Sequence, residues 1–311
     1  MQKVLITGGA GYIGSMLTPL LLAKGYQVTI LDSFMYNQVT LLDVCHDPHL
    51  NIVRGDVRDQ NLMKNLVSKH DALIPLACLV GAPLCDRDPY NAQLINCDVI
   101  KKIADLKSKD QILIYPCTNS GYGIGQEGIY CDEKTPLNPI SVYGKVKVEA
   151  EKYLLDKGQS VTFRLATVFG ISPRMRLDLL VNDFVYRAVN DGFIVLFEQH
   201  FKRNFLHVRD AAGAFLHAMN NFSTMKGQPY NVGISEANLS KKELCEHISK
   251  YVPKFKVMAS DLREDPDKRN YVVSNEKIEK TGFKPKVTLD LGIQELIKGF
   301  QIIKKNQFSN I

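Results

Sequence analysis

A strand that runs directly into a glycine-rich turn and then a helix constrains the fold of this chain more than any other feature. Residues 4–7 form an apolar strand, glycines follow at 8, 11 and 14, and an apolar run then leads to Asp32. Gly8 permits a tight turn, Gly11 lets a ligand approach the backbone, and Gly14 lets helix and strand pack closely. This order of elements predicts the first βα unit of a Rossmann-type sheet.

The same segment predicts a site for a dinucleotide. Free N–H groups and the dipole at the start of the helix favour a pyrophosphate. Asp32 falls at the end of the second strand, where a carboxylate accepts hydrogen bonds from an adenosine ribose and repels a 2′-phosphate. We therefore predict NAD rather than NADP as the cofactor. The residues of the turn assigned to it are Gly8, Gly11, Tyr12, Ile13 and Gly14.

Strand and helix patterns alternate along the N-terminal half of the 311 residues. Such alternation is typical of βαβ units and of a parallel sheet covered by helices on both faces. We predict an α/β fold: a doubly wound Rossmann sheet with a smaller, interleaved α/β lobe for the substrate and a cleft between them. The predicted NAD-binding domain is 1–166 plus 205–235, and the predicted substrate lobe is 167–204 plus 236–311.

Charge and cysteine patterns argue against several classes of protein. The net charge of +6 is modest, and the chain has no nucleic-acid motif and no long Lys/Arg run, so we expect no nucleic-acid partner. The cysteine count of 7 is odd, and neither C-x-x-C nor H-E-x-x-H spacing occurs, so we assign no disulfide framework and no metal. Without a bilayer-length apolar run or a signal peptide, we expect a cytoplasmic protein with no membrane partner.

Tyr143 and Lys147 are the first candidates for catalysis. They follow Ser141, which is suited to begin a helix, and their spacing of four places them on one helix face. A lysine ammonium beside a tyrosine favours the phenolate, which acts as a general base. Taken alone, this spacing is common and also fits a chance pair on the surface.

The segment after the strand at 111–115 connects this pair to a known family. It reads Pro116-Cys117-Thr118-Asn119-Ser120-Gly121-Tyr122-Gly123. Here the chain resembles the extended short-chain dehydrogenase/reductase family, the nucleotide-sugar epimerases and dehydratases. In that family a Ser or Thr four residues before a Tyr-Gly pair binds the reacting hydroxyl. The resemblance implies catalytic roles for Thr118, Tyr143 and Lys147, the last two also contacting NAD.

The resemblance extends over nearly the whole chain and implies further site residues. Those implied for the cofactor are Asp56, Val57, Leu76, Ala77 and Asn96. Those implied for a nucleotide-diphosphate sugar are Leu79, Val80, Gly81, Asn119, Ser120, Thr167, Arg174, Arg176, Arg203 and Arg269. Arginine suits the diphosphate because its planar guanidinium binds phosphate through two hydrogen bonds. The family also implies a homodimer built from helices near 88–108 and 142–156.

Two departures from the family pattern bear on the reaction. Sugar 4,6-dehydratases carry Asp-Glu directly after the Thr, whereas this chain has Asn119-Ser120, which cannot provide an acid/base pair. The epimerase/reductases that make GDP-fucose carry a Cys where this chain has Ser120. Reversible hydride transfer at the sugar C4 remains as the expected chemistry.

Three segments, 79–85, 118–125 and 164–184, are similar to family members that oxidise C4 of a GDP-linked heptose for capsule synthesis. This resemblance implies GDP-heptose as the substrate, tightly held NAD, and a second oxidised substrate such as 2-oxoglutarate. A 4-epimerase uses the same Thr, Tyr and Lys, and the sequence does not separate the two reactions. A non-catalytic NAD-binding regulator is a third reading, although such relatives commonly lose the Tyr or Lys.

Overall fold

The computed structural model describes residues 1–126, 128–260 and 269–303. The strands, in chain order, are β1 (Lys3–Thr7), β2 (Gln27–Asp32), β3 (Leu50–Arg54), β4 (Ala72–Pro75), β5 (Ile112–Thr118), β6 (Tyr130–Cys131), β7 (Val161–Leu165), β8 (Thr167–Phe169), β9 (Phe193–Leu196), β10 (Lys202–His207), β11 (Gln228–Val232), β12 (Asn238–Ser240), β13 (Lys256–Ala259) and β14 (Val272–Val273).

The helices, in the same order, are α1 (Gly14–Ala23), α2 (Gln60–Val67), α3 (Ala82–Arg87), α4 (Pro89–Gln93), α5 (Val99–Leu106), α6 (Val142–Asp156), α7 (Leu180–Asn190), α8 (Val208–Asn220), α9 (Phe222–Met225), α10 (Lys241–Ser249), α11 (Glu276–Glu279) and α12 (Leu289–Ile302). A π-helical turn spans Leu94–Asp98, and 3₁₀ turns span Leu42–Val44 and Asn119–Tyr122. Within the described ranges, no helix is long and apolar enough to cross a membrane.

A seven-stranded parallel sheet in the order β11-β7-β5-β4-β1-β2-β3 forms the centre of the molecule. The chain order reverses between β1 and β4, and ligands bind in the crevice beyond the carboxyl ends of the strands at such a point. The predicted Rossmann-type α/β fold is therefore confirmed, and its topology places the glycine turn at the switch point.

Alternation along the strands divides the core between the two faces of this sheet. Val4 and Ile6 of β1 belong to a hydrophobic cluster that includes side chains of α1 and α8. Leu5, between them, belongs to a second cluster with side chains of α2, α5 and α6. Because successive strand residues point to opposite faces, one apolar strand packs against helices on both sides. This double burial explains why β1 is apolar at every position from Val4 to Ile6.

The strand that returns from the second lobe does not join the large sheet. β10 pairs in parallel with β8 and antiparallel with β12, forming a separate three-stranded sheet. Residues 205–207 are predicted to belong to the NAD-binding domain, yet in the segment 205–235 only β11 pairs with the large sheet, beside β7. Further short parallel pairs, β9 with β13 and β6 with β14, complete the described strands. The division into 1–166 plus 205–235 and 167–204 plus 236–311 stays a prediction.

Candidate active site

A cleft of about 750 Å³ lies at the carboxyl edge of the large sheet and extends to the loop between β8 and α7 and to Arg203 and Arg269. Most of the site residues predicted from sequence line it. They are Gly8, Gly11, Tyr12, Ile13, Gly14, Asp32, Asp56, Val57, Leu76, Ala77, Leu79, Val80, Gly81, Thr118, Ser120, Tyr143, Lys147, Thr167, Arg174, Arg176, Arg203 and Arg269. Asn96 and Asn119 lie outside its lining.

The three glycines of the turn meet different constraints. Gly8 has φ +70°, and a Cβ there would lie 2.6 Å from the backbone nitrogen of Ala77. A Cβ on Gly14 would lie 2.5 Å from the carbonyl oxygen of Gly9. Gly11 lines the cleft, and Ile13, which precedes α1, offers no side-chain hydrogen bond to the first helical turn. The turn and helix start therefore fit a pyrophosphate, whose oxygens would accept from these backbone N–H groups.

Asp32 connects the glycine turn to the loop that follows β2. Its Oδ2 accepts from the Ala10 backbone nitrogen at 3.0 Å, and its Oδ1 accepts from the backbone nitrogen of Phe34 at 2.8 Å and from Gln38 Nε2 at 3.2 Å. A carboxylate offers about four lone-pair sites, so these three bonds leave capacity for a ribose hydroxyl. Asp32 thus shapes the turn, and its role in selecting NAD over NADP stays a prediction.

Thr118, Tyr143 and Lys147 come together because the end of β5 faces the start of α6. Ser141 caps α6 by accepting from the Gly144 backbone nitrogen at 3.1 Å, so the helix begins immediately before Tyr143. Lys147 is buried one turn later, and its Nζ lies 4.1 Å from the ring centroid of Tyr115. The helix therefore presents a phenol and an ammonium beside the threonine hydroxyl that ends the strand.

The pKa of Tyr143 differs from the sequence expectation. Burial raises the pKa of its phenol well above the ordinary value, and the neighbouring Cys78 and Cys117 thiols raise it further. The guanidinium of Arg176 acts in the opposite direction and lowers this pKa. The protein's own groups thus leave Tyr143 protonated near neutral pH, whereas the sequence argument expected Lys147 to favour the phenolate. A further positive charge is needed before the phenol can act as a base.

Asn96 and Asn119 are buried behind the wall of the cleft. Asn96 Oδ1 accepts from the Leu79 backbone nitrogen at 2.9 Å, and its Nδ2 donates to the Leu79 carbonyl at 2.9 Å. Asn96 therefore holds a segment that lines the cleft, a task that sequence reasoning did not assign to it. The Asn119 amide is buried without a hydrogen-bond partner among the residues described here.

Arg174 and Arg176 approach the cleft from the loop between β8 and α7. Arg174 lies over the ring of Tyr36 at 4.6 Å from the centroid, and Tyr36 belongs to the loop that follows Asp32. Arg176 forms a buried ion pair with Asp178, with Nε to Oδ1 at 3.2 Å. Arg174 therefore lies beside the loop that follows Asp32, whereas the charge of Arg176 acts on the phenol of Tyr143. The predicted role of both arginines in substrate binding stays a prediction.

This loop is attached directly to the glycine turn. Tyr12 Oη donates to the Gly170 carbonyl at 2.6 Å and accepts from Asn182 Nδ2 at 3.2 Å. Asn182 Nδ2 also donates to the Arg176 carbonyl at 2.8 Å. Ser172 Oγ donates to the Tyr12 carbonyl at 2.7 Å. The second-lobe loop and the predicted cofactor turn therefore form one hydrogen-bonded unit.

Arg203 and Arg269 lie on the other side of the cleft, beside the end of β5. Arg269 Nη1 donates to Ser120 Oγ in a short contact. Arg203 Nη1 donates to the Lys202 carbonyl at 2.8 Å and also to the Arg269 carbonyl. Arg203 and Arg269 thus contact each other, and Arg269 lies against Ser120 after the end of β5.

A buried ion pair fixes α6 to the sheet behind the site. Arg164 Nε and Glu151 Oε2 are 2.9 Å apart, with side chains 6% and 1% exposed. Thr162 Oγ1 donates to Glu151 Oε1 at 2.8 Å, and Arg164 Nη1 donates to Tyr122 Oη at 3.1 Å. Glu151 lies one turn beyond Lys147, so this network holds the helix that carries both predicted catalytic residues of α6.

Sequence reasoning missed several residues that the structure brings to the site. Tyr36 and Asp178 line the cleft, and Tyr115 packs under the Lys147 ammonium. Tyr115 could have been predicted, because it lies on the strand that ends at Thr118. Tyr36 and Asp178 lie in loops and follow no spacing rule, since their positions depend on contacts between distant segments.

Comparison with known proteins agrees with this geometry. The sequence model of the "NAD dependent epimerase/dehydratase family" matches residues 4–233. A dTDP-glucose 4,6-dehydratase of Streptomyces niveus is 25% identical over 96% of this chain and 93% of its own. A UDP-N-acetyl-alpha-D-glucosaminuronate decarboxylase of Bacillus cytotoxicus is 28% identical over 98% of this chain and 99% of its own.

A solved structure shows the same fold. UDP-glucuronic acid 4-epimerase from Bacillus cereus, in complex with UDP-glucuronic acid and NAD, matches with a TM-score of 0.84 at 21% identity. The match covers 96% of this chain and 99% of that protein.

Proposed function

The chain belongs to the NAD dependent epimerase/dehydratase family and is therefore an NAD-dependent enzyme, and we propose that it oxidises the C4 hydroxyl of a nucleotide-diphosphate sugar. The observation that carries this proposal is the meeting of Thr118, Tyr143 and Lys147 at one cleft that also contains the glycine turn. Curated relatives over almost the full chain length act on nucleotide sugars by name, which supports the substrate class.

The proposed step needs one base and one hydride acceptor. NAD⁺, when bound, would supply the hydride acceptor and a positive charge that favours the phenolate. Tyr143, as phenolate, accepts the proton of the C4 hydroxyl while the C4–H bond breaks and its electron pair leaves with the hydrogen as hydride. Thr118 donates a hydrogen bond to the C4 oxygen, and Lys147 binds the nicotinamide ribose. The sugar loses two hydrogens and becomes a 4-keto sugar, and NAD⁺ becomes NADH.

The residues after Thr118 support a reaction that stops at the ketone. Removing water across C5 and C6 requires an acid and a base beside those carbons. Asn119 cannot ionise and is buried outside the cleft lining. The Ser120 hydroxyl bonds to Thr118 and accepts from Arg269, and a serine hydroxyl is too weak an acid or base at neutral pH. We therefore expect the water to be retained.

For the sugar, we propose GDP-D-glycero-α-D-manno-heptose, because segments 79–85, 118–125 and 164–184 resemble the 4-oxidase that acts on it in capsule biosynthesis. Arg203 and Arg269 are the proposed ligands of the diphosphate. The NADH formed would be reoxidised by 2-oxoglutarate, which takes up the hydride and a proton to become 2-hydroxyglutarate. We further propose a homodimer through the helices near 88–108 and 142–156.

A 4-epimerase is the second candidate, because the same three residues would serve if the hydride returned to the opposite face of C4. It is favoured by the structural likeness to a UDP-glucuronic acid 4-epimerase.

In the test, the purified enzyme is incubated with GDP-heptose, with and without 2-oxoglutarate. The mass of the nucleotide sugar is then determined by mass spectrometry. We expect a product lighter by two hydrogens and dependent on 2-oxoglutarate for multiple turnovers. A product lighter by one water would refute the proposal. An unchanged mass with inverted C4 would identify the epimerase instead. Tyr143→Phe serves as the control that should give no product.

A further inference from the structure

Two hydroxyls lie side by side at the end of β5. Thr118 Oγ1 donates to Ser120 Oγ at 3.0 Å, and the Ser120 backbone N–H donates back to Thr118 Oγ1 at 3.1 Å. Ser120 is 2% exposed, and both residues line the cleft together with Tyr143. The serine is therefore held in a fixed relation to the threonine that would bind the reacting hydroxyl.

A positive charge lies directly against this serine. Arg269 Nη1 donates to Ser120 Oγ, and the Arg269 backbone carbonyl accepts from Arg203 Nη1. A guanidinium that donates to an oxygen draws electron density from it, because hydrogen bonds in a chain polarise one another. Ser120 Oγ, which accepts from Thr118 in the structure, consequently becomes a weaker acceptor, and its own O–H becomes a stronger donor.

The direction of the Thr118–Ser120 bond decides what Thr118 can offer a ligand. A hydroxyl has one hydrogen to donate and two lone pairs with which to accept. While Thr118 donates to Ser120, its hydrogen is engaged. If Ser120 donates instead, Thr118 Oγ1 accepts from both the N–H and the O–H of Ser120. Its lone pairs are then filled, and its own hydrogen can point only to another acceptor, such as a substrate oxygen in the cleft.

We propose that Ser120 is a positioning residue which, polarised by Arg269, turns Thr118 into a hydrogen-bond donor toward the C4 oxygen of the sugar. This inference rests on the proposed oxidation at C4, since that oxygen gains negative charge as its proton leaves and the hydride departs. A donor fixed toward developing charge stabilises the transition state more than the ground state. Ser120 thus acts on turnover through Thr118 and not on substrate affinity.

The test compares steady-state kinetics of wild type, Ser120→Ala, Thr118→Val and their double variant. Ser120→Ala should lower kcat about tenfold, which is the change in rate expected when one hydrogen bond to the transition state is lost. The KM should be nearly unchanged. The double variant should be no slower than Thr118→Val alone, because Ser120 has no effect without Thr118. Ser160→Ala is the matched control, since Ser160 is also buried but lies outside the cleft lining, and its kcat should equal that of wild type.

The Arg269→Gln variant tests whether the positive charge of Arg269 acts through Ser120. In the wild-type background it should lower kcat, and in the Ser120→Ala background it should leave kcat unchanged. Any KM increase from a lost diphosphate contact should appear equally in both backgrounds. Thermal unfolding midpoints of all variants verify that each is folded.

Three results would overturn the inference. Losses that multiply in the Thr118→Val/Ser120→Ala variant would show that the two hydroxyls act independently. A raised KM with unchanged kcat in Ser120→Ala would show that the serine binds substrate directly. A wild-type protein that oxidises no nucleotide sugar would remove the proposed function and this inference with it, whereas the first two results would leave the proposed function in place.

Discussion

Replacing Gly11 with alanine separates binding of the cofactor from stability of the fold. Within the described residues, a Cβ at this position would meet one atom outside its chain neighbours within 4 Å, the Gly8 carbonyl oxygen at 3.0 Å. The backbone of Gly11 lies outside the left-handed region, so alanine can adopt its conformation. The methyl group would instead stand in the cleft, where the pyrophosphate is proposed to approach the turn.

Gly11→Ala is expected mainly to weaken the binding of NAD. A methyl group that holds the pyrophosphate away from the turn removes at least one hydrogen bond to a charged group, worth about 1.5–3 kcal/mol. That loss raises the Kd for NAD about 10- to 100-fold. The 3.0 Å contact with the Gly8 carbonyl oxygen is tight, so the free energy of unfolding should also fall, by about 1 kcal/mol, as that backbone shifts slightly. Isothermal titration calorimetry of the nucleotide-free protein measures the Kd for NAD, and urea unfolding measures the free energy of unfolding.

Two other glycines serve as comparisons. Gly8→Ala should destabilise the protein, because Gly8 has φ +70° and its Cβ would lie 2.6 Å from the Ala77 backbone. Gly25→Ala carries similar backbone strain at φ +80° in open space, so it should lower stability modestly and leave NAD affinity unchanged. If the Gly11→Ala variant binds NAD as tightly as the wild type does, the assignment of the pyrophosphate to this turn is refuted.

The remaining predictions concern charge and proton transfer. Asp32→Ala should weaken NAD binding and narrow the preference for NAD over NADP in calorimetric titrations; unchanged values for both nucleotides would contradict the assigned role. Tyr143→Phe should lower turnover about 10²–10⁴-fold with an unchanged thermal midpoint, and near-normal turnover would exclude it as the base. Because burial raises the pKa of Tyr143, the phenolate fraction grows with pH, so wild-type kcat/KM should rise from neutral to alkaline pH; a falling profile would oppose this. Glu151→Gln leaves the buried Arg164 without its counter-charge and should lower the free energy of unfolding by about 3–5 kcal/mol in urea; a loss under about 1 kcal/mol would contradict that reading.

Much of the fold could be predicted because its signals are local. The run from β1 through the glycine turn into α1 is continuous in sequence, and strand and helix alternate at regular intervals along the first half of the chain. Tyr143 and Lys147 share a face because they are four apart on one helix. Their shared face follows from spacing alone. That Thr118 joins them was implied by the resemblance to the family, since it lies on a different element of the chain.

The tertiary structure alone decided which distant side chains meet. Arg174 lies over Tyr36 in the loop after β2, whereas Arg269 donates to Ser120 after β5, although the sequence assigned both arginines to the same ligand. Asn96 lies behind the cleft wall because the backbone of Leu79 satisfies its amide. Likewise, β10 pairs with β8 and β12, whereas the sequence predicted residues 205–207 as part of the NAD-binding domain. Such contacts join residues far apart in the chain, and their geometry depends on how whole elements pack, which no local pattern encodes.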